Sequence, residues 1–490
     1  MSCPAEQLPL HVRLQKVANI DDVSMPASYY LLTLAMVAIV AGLPFLYRVL
    51  WLLIYDSYKE IQTQKRGLDP IPGLERLGRP ATRNLSKESG NFIHNLSSGS
   101  QQNEHVGKPN DEPWKVVAVY NYPIKSCFGI ELDEGEMQQT GFKYDRQFSF
   151  AQFCSVKASK SKVPLWDEKV PQWDFITIRA HPALTRIKTE VWVPKDGLLE
   201  YEKEAPFIQS GGCLVGSFTF MPKVSFTIQG LNNLRSIIAA RIAGRKEPTF
   251  YFRIPFNAST DQIEASNKAD THMIIWRDFP GAVDVGSSIP SHIKTNLQDF
   301  LGITKPLTLF RVHPNKQRNL FKNAPTASQL GYQSHVGFQD SYPLSLQNVA
   351  SIKDMEARVP SSAAFSPDSR RYRANVYIAG PAPYDEDDWT LVEIGGRAFH
   401  CACRTTRCKL PNTDPDSGVQ DNRGNEPQST MLKYRVIDEG SKSACFGMQV
   451  VPSADAVGNV VAVGDEVKVL RRGQHRFVAS TEPEDQVPIL

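Results

Sequence analysis

The chain has 490 residues, a length that suggests about three domains, and 41% of them are hydrophobic, enough for packed cores. Its formal net charge is +3, and no basic run interleaved with aromatics stands out, which argues against a nucleic-acid partner. Eight cysteines without a regular framework read mostly as free thiols in a reducing compartment.

Residues 1–26 form a polar tail. Ala27 to Tyr47 reads ASYYLLTLAMVAIVAGLPFLY, 21 uncharged residues, long enough to cross a bilayer core. With the following VLWLLIY it predicts a transmembrane anchor over 27–55, flanked by Tyr29, Tyr30, Tyr47, Trp51 and Tyr55 as interfacial aromatics. A secretory signal peptide would follow a basic start directly, whereas here a mixed tail with Asp21 and Asp22 comes first. The basic residues Arg48, Lys59, Lys65 and Arg66 after the span outnumber Arg13 and Lys16 before it, so the expectation is a single-pass protein whose head faces the cytosol. Residues 56–113 read as a juxtamembrane segment and linker, Pro-, Gly-, Ser-, Asn- and Gln-rich from Gly67 onward.

Order resumes at Trp114. WKVVAVYNYPIKS predicts a strand ending in a turn at Tyr122-Pro123, and RQFSFAQF (146–153), FITIRA (175–180) and LTRIKTEVWV (184–193) predict three more. This short spacing suggests a barrel or sandwich. Leu231 to Ile242 and Ile289 to Phe300 predict helices, with Gly244 to Lys268 a polar insertion of little periodicity. A second domain over 331–475 follows this one, which spans 114–330. In it Leu346 to Ala357 predicts a helix capped by Ser345, ANVYIAG (374–380) a buried strand, and WTLVEIGG with RAFHCAC a hairpin about Gly395-Gly396. VVAVGDEVKVL (460–470) predicts two strands across a Gly-Asp turn, and 476–490 a loose tail.

Three segments carry candidate chemistry. In YPIKSCFG, Lys125 and Ser126, with Arg146 downstream, suit an anion, although taken alone the segment more often reads as a surface turn with solvated charges. In RYRANVYIAG, Arg373 precedes a hydrophobic strand containing Asn375, and the competing reading pairs this arginine with the acidic loop Asp385 to Asp388. In CACRTTRCKLPNTDPDSG, the thiol of Cys408 lies between Arg404, Arg407 and Lys409 and a run of turns. Positive neighbours favour a thiolate, the form that attacks electrophiles and ligates metals. Zinc and plant-type iron–sulfur spacings are not met, and GxSxG, P-loop and GxGxxG signatures are absent.

In this order YPIKSCFG with its downstream Asp145-Arg146, DSYPLS (340–345), RANVYIAG and TRCKLPNTDPDSG resemble the MOSC-domain proteins, specifically the membrane-anchored branch of mitochondrial amidoxime-reducing components. The resemblance covers roughly residues 114–475. It implies an α+β, β-rich fold: an N-terminal transmembrane helix, a linker, a MOSC N-terminal β-barrel-like domain, and a MOSC β-barrel domain. It implies a molybdenum cofactor, molybdopterin with its metal ligated by Cys408. Lys125, Ser126 and Arg146 would hold its phosphate and pterin, with Ser341, Tyr342, Arg373, Asn375, Thr406 and Arg407 as further contacts. The activity implied is reduction of small N-hydroxylated substrates such as amidoximes and hydroxylamines. Electrons would come from a b-type membrane haem cytochrome and an NADH-dependent flavin reductase, and the membrane would be the mitochondrial outer membrane rather than the endoplasmic reticulum. A cofactor-binding or sulfur-carrying MOSC module without reductase activity is the alternative. The chain departs from the animal pattern in having four residues between Cys403 and Cys408, and in lacking the family's tyrosine around Phe446 to Gln449.

Overall fold

The computed structural model describes residues 54–79, 113–154, 172–276, 278–361, 363, 365–420 and 424–478, together with residues 36, 47, 48 and 51. By internal contacts the chain divides into two units, residues 1–67 with 235–246, and residues 68–234 with 247–490. In the first unit, residues 54–66 are helical and carry Asp56, Lys59, Glu60, Lys65 and Arg66. Most of the expected anchor over 27–55 lies outside the described residues. No helix among the described residues is long and apolar enough to cross a membrane. The expected transmembrane helix, and the single-pass placement with a cytosolic head that rested on it, are corrected on that finding.

The second unit is β-rich. Its largest sheet has eight strands: Lys115–Asn121 (β1), Ile130–Leu132 (β2), Leu344–Asn348 (β3), Val376–Ala379 (β4), Trp389–Ile394 (β5), Arg397–Thr406 (β6), Cys445–Pro452 (β7) and Val467–Arg472 (β8). They run in the order β8-β5-β6-β7-β3-β4-β1-β2. Backbone bonds then join the segment entering β8 to the start of β1: Val467 N donates to Trp114 O and Val116 N to Asp465 O, each at 2.8 Å. Trp114 stacks on Trp389 of β5 with centroids 5.6 Å apart, an aromatic staple across the same seam. The sheet therefore closes on itself at one end.

Most pairs are antiparallel, but β3 and β4 run parallel, which requires a crossover. Val349–Ala357 (α1) supplies it, capped by Asn348, whose side chain accepts from Ala350 N at 3.0 Å. Val349, Ile352 and Met355 pack with Tyr372 and Tyr377 on one side of the sheet, whereas Val376 and Ile378 of β4 enter the main core. β3 is only five residues long, and its Leu346 falls at helical spacing from Val349 and Ala350 of α1, so the boundary between the two is hidden in the sequence. The helix expected from Leu346 starts three residues later, and the expected cap Ser345 sits in β3.

Four smaller sheets complete the unit among the described residues, and two of them have four strands or more. One orders Met273–Ile274, Gln172–Phe175, Phe148–Cys154, Leu307–Val312 and Ala282–Asp284; the other orders Leu74–Leu77, Lys188–Pro194, Cys213–Thr219 and Thr249–Pro255. The strand expected over FITIRA ends at Phe175. Ala180 N and His181 N both donate to Thr177 O, so Thr177 to Ala180 is a turn with Ile176 and Ile178 buried beneath it. The expected helices run Ile228–Ile242 and Ser291–Leu301. Gly244 to Lys268, expected to be a polar insertion of little periodicity, holds a strand, Thr249–Pro255, with Phe250, Phe252 and Ile254 buried, followed by the helix Thr260–Lys268. Ser259 and Gln262 form a reciprocal capping box there.

Candidate active site: a cationic cleft with one open thiol

All ten residues singled out in the sequence line one cleft of about 190 Å³ that opens to solvent. Lys125, Ser126, Arg146, Ser341, Tyr342, Arg373, Asn375, Thr406, Arg407 and Cys408 come together from five separate segments. Six cationic side chains line it, Lys125, Arg146, Arg179, Arg373, Arg404 and Arg407, against one acid, Asp340. An anionic ligand suits such a wall.

The turn after β1 is fixed by Arg146 N donating to Tyr122 O at 2.9 Å and Lys125 N to Phe148 O at 2.7 Å. It holds Ser126 at φ 69°, and Arg146 and Arg373 sit at φ 49° and 52°. With Trp276 at φ 58°, four of the eight described non-glycine residues with positive φ line this cleft. Strained backbone of this kind persists only where its surroundings over-determine it, and it clusters at functional sites.

Lys125 Nζ donates to Phe338 O at 2.7 Å and to Asp340 Oδ1 at 2.6 Å. Burial brings its pKa down to about 8 against the pull of Asp340. Burial alone would raise the Asp340 carboxyl, but Lys125 outweighs it and holds the group well below the usual carboxylate range. Arg146 pairs with the fully buried Asp145. It also donates to Asn375 Oδ1 at 3.1 Å and Arg373 O at 3.1 Å. Asn375 is saturated in turn: its oxygen also accepts from Ser345 N at 3.2 Å and its amide donates to Tyr120 O at 3.1 Å.

Arg373 is different. Its guanidinium lies 4.1 Å from the centroid of the Tyr122 ring, and its Nη2 is buried with no hydrogen-bond partner. Burial lowers its pKa. The acidic loop that could have paired with it is engaged elsewhere: Asp385 and Asp388 bind Arg472, and Asp387 binds Arg435. That removes the reading of Arg373 as an ion-paired strand end.

Arg407 is a strut. Its Nε, Nη1 and Nη2 donate to Phe446 O, Tyr372 O and Gln347 Oε1 at 2.8, 2.9 and 2.9 Å. Arg404 likewise turns to Asp438 and to the Asp387 and His475 carbonyls. Tyr342 buries its ring and donates to Lys322 O at 2.9 Å. After Cys408, Asp414 Oδ1 accepts from Asp416 N at 3.1 Å and Ser417 N at 2.8 Å, and Arg371 reaches Asp414 Oδ2 at 3.1 Å. This is the rigid turn the sequence suggested.

Cys408 is the only cysteine among the described residues that is not buried. Cys401 and Cys403 of β6 are fully buried, and burial pushes the Cys403 thiol up to about 12. No cluster of three or more His, Cys, Asp or Glu that could hold a metal exists among the described residues. A metal in this cleft would thus take a single protein thiolate and depend on another ligand for the rest of its coordination. The open thiol, the orphaned Arg373 donor and the excess of cations fit a metal carried on an anionic organic cofactor.

Other lining residues carried no sequence signal that was recognised. Arg179 and Trp276 come from the loops that follow Gln172–Phe175 and Met273–Ile274, and Gln449 lies on β7. Asp340 was visible in DSYPLS but had no assigned role. Phe477 belongs to the expected loose tail, yet residues 476–478 are tied down: Phe477 N donates to Asp438 Oδ1 at 2.7 Å and Val478 N to Asn323 Oδ1 at 2.8 Å.

Residues 114–207 match the MOSC N-terminal beta barrel domain and residues 333–468 the MOSC domain. The chain thus carries both MOSC domains, and it is similar to mitochondrial amidoxime-reducing components. It is 29% identical over 358 residues to mitochondrial amidoxime reducing component 2 of Homo sapiens, a match covering 72% of this chain and 82% of that relative. It is 29% identical over 140 residues to component 1 of Mus musculus, covering 28% of this chain and 39% of the relative. To the molybdenum cofactor sulfurase of Solanum lycopersicum it is 22% identical over 329 residues, covering 65% and 31%. Against the mouse and tomato relatives the match spans well under two thirds of their length. Proteins of this family are associated with the molybdenum cofactor.

Proposed function

We propose that the chain is a molybdenum-cofactor oxidoreductase that reduces N-hydroxylated compounds such as amidoximes and hydroxylamines. The observation that carries this reading is the single open thiol, Cys408, set in a cleft with six cations and one acid. Cys408 would ligate the metal, a soft thiolate for a soft site. Lys125, Arg146 and Arg373 would hold the phosphate and pterin through charge-assisted bonds, with the Ser126 and Ser341 hydroxyls beside them. When bound, the cofactor supplies two-electron redox chemistry. The chain's own groups hold the geometry: Asp145 and Asn375 fix Arg146, and Gln347 with two backbone carbonyls fixes Arg407 next to the thiol.

Reduction of an N-hydroxy group consumes two electrons and two protons and yields the N–H compound and water. The sequence carries no flavin, haem or iron–sulfur signature, so the electrons would come from a separate b-type cytochrome and its NADH-dependent flavin reductase. The test is NADH-driven conversion of benzamidoxime to benzamidine by the full chain supplemented with both donors. Turnover that disappears in Cys408→Ser is the expected result. Protein loaded with molybdenum and pterin that never turns over would overturn the reductase reading and leave the cofactor-binding alternative.

A further inference from the structure

Arg179 and Arg373 are the two cations of the cleft whose guanidinium groups make no hydrogen bond or ion pair with any described residue. Lys125 is tied to Asp340, Arg146 to Asp145, Arg404 to Asp438, and Arg407 to two carbonyls and Gln347. Arg373 backs the cleft with its Nη2 buried. Arg179, by contrast, is exposed on the turn Thr177 to Ala180.

Its plane is nonetheless fixed. The guanidinium lies 4.2 Å from the centroid of the Trp276 ring, a cation–π stack that orients the group while leaving its N–H edge unused. The platform is itself secured from three sides. Trp276 Nε1 donates to Asp340 Oδ1 at 3.1 Å, the same oxygen that accepts from Lys125. The indole meets Phe175 edge-on at 5.0 Å. Its backbone is held at φ 58° in a tight turn, where Ile275 and Asp278 exchange backbone bonds at 3.0 and 2.9 Å. A large aromatic that is 41% exposed and held in strained backbone, with its only hydrogen bond directed at a cleft acid, is poorly explained as packing.

We propose that Arg179, stacked on Trp276, is an oxyanion-recognising element contributed by the N-terminal domain to the cleft that holds Cys408. Its ligand is a carboxylate or phosphate read by the free fork of the guanidinium. The source is the substrate, which makes Arg179 a specificity determinant for acidic N-hydroxy compounds, or the phosphate of the bound cofactor. The substrate assignment rests on the reductase reading above; the oxyanion site does not.

The test uses the full chain and the variants Arg179→Ala, Arg179→Lys and Trp276→Phe. Calorimetric titration with inorganic phosphate and with benzoate needs neither metal nor turnover. Molybdenum and pterin contents are measured on the same preparations. kcat/KM is compared for 4-carboxybenzamidoxime and benzamidoxime. Loss of a charge-assisted bond costs about tenfold in affinity. With the substrate as source, Arg179→Ala lowers the ratio of the two kcat/KM values by about that factor at unchanged pterin content. Arg179→Lys restores only part, because the planar fork is lost. With the cofactor as source, pterin content falls instead. Trp276→Phe keeps a ring under the guanidinium but loses the bond to Asp340, and it weakens the same readout. Phosphate and benzoate binding, pterin content and substrate ratio all unchanged in Arg179→Ala overturn the proposal. Oxyanion binding that depends on Arg179 in protein without molybdenum would uphold it while the reductase reading fails.

Discussion

The cleft has two kinds of wall. Along one, formed by Asp145, Arg146, Asn375 and Arg407, nearly every polar atom is engaged by the protein itself. Along the other, Cys408, the Nη2 of Arg373 and the Arg179 guanidinium have no hydrogen-bond or ion-pair partner among the described residues. The first wall keeps its shape without a ligand and the second becomes satisfied only by one. Residues with similar formal charge therefore have different jobs, and the difference lies in their partners rather than in their residue type.

That contrast can be broken by substitution. The largest effect is expected at Cys408: Cys408→Ser abolishes turnover and metal retention, yet leaves the thermal midpoint within a few degrees, because the thiol carries no packing load. Arg146→Ala, on the saturated wall, strands the buried Asp145 carboxylate and costs about 3–5 kcal/mol of stability, read as a shift of the denaturant midpoint. Arg407→Met removes three donors at once and costs about 2–3 kcal/mol in the same measurement; a neutral outcome would mean that the strut is dispensable.

Lys125 tests the boundary between the walls. Its pKa in the folded protein is about 8, below the ordinary lysine value of 10.5, with burial the first cause. Between those values the unfolded chain binds more protons, so this group makes stability rise with pH across that window. Lys125→Met should flatten the rise, and equal slopes for the two proteins would refute the buried placement. The smallest effect is expected at the rim: Arg179→Ala changes stability by no more than about 0.5 kcal/mol, and a larger loss would make it structural.

Much of this was legible beforehand. Strands such as Lys115–Asn121 and the hairpin about Gly395-Gly396 follow from apolar runs and turn residues, and the ten residues picked out by the motif order share one cleft with others that no motif marked. The elements that were misread share a cause. Leu344–Asn348 runs straight into Val349–Ala357 with Leu346 at helical spacing from Val349 and Ala350, so their periods merge and the cap Asn348 is masked by the plausible Ser345. The strand Thr249–Pro255 alternates around Arg253 and was obscured by the polar composition on either side; the Ser259–Gln262 box was readable but overlooked. The expected membrane span rested on apolar length and flanking aromatics, and no described helix sustains it. Arg179 and Trp276 had no motif to betray them, because their meaning lies in a stacking contact between segments nearly a hundred residues apart.

The central claim is that the unsatisfied wall receives a molybdenum cofactor through Cys408. It is tested most directly by measuring molybdenum and pterin in the purified full-length chain and in Cys408→Ser, from a host that makes the cofactor. The account predicts near-stoichiometric metal and pterin in the wild type, with molybdenum lost in the folded variant. Wild-type protein that is folded yet holds neither, or a variant that retains the metal in full, would contradict it.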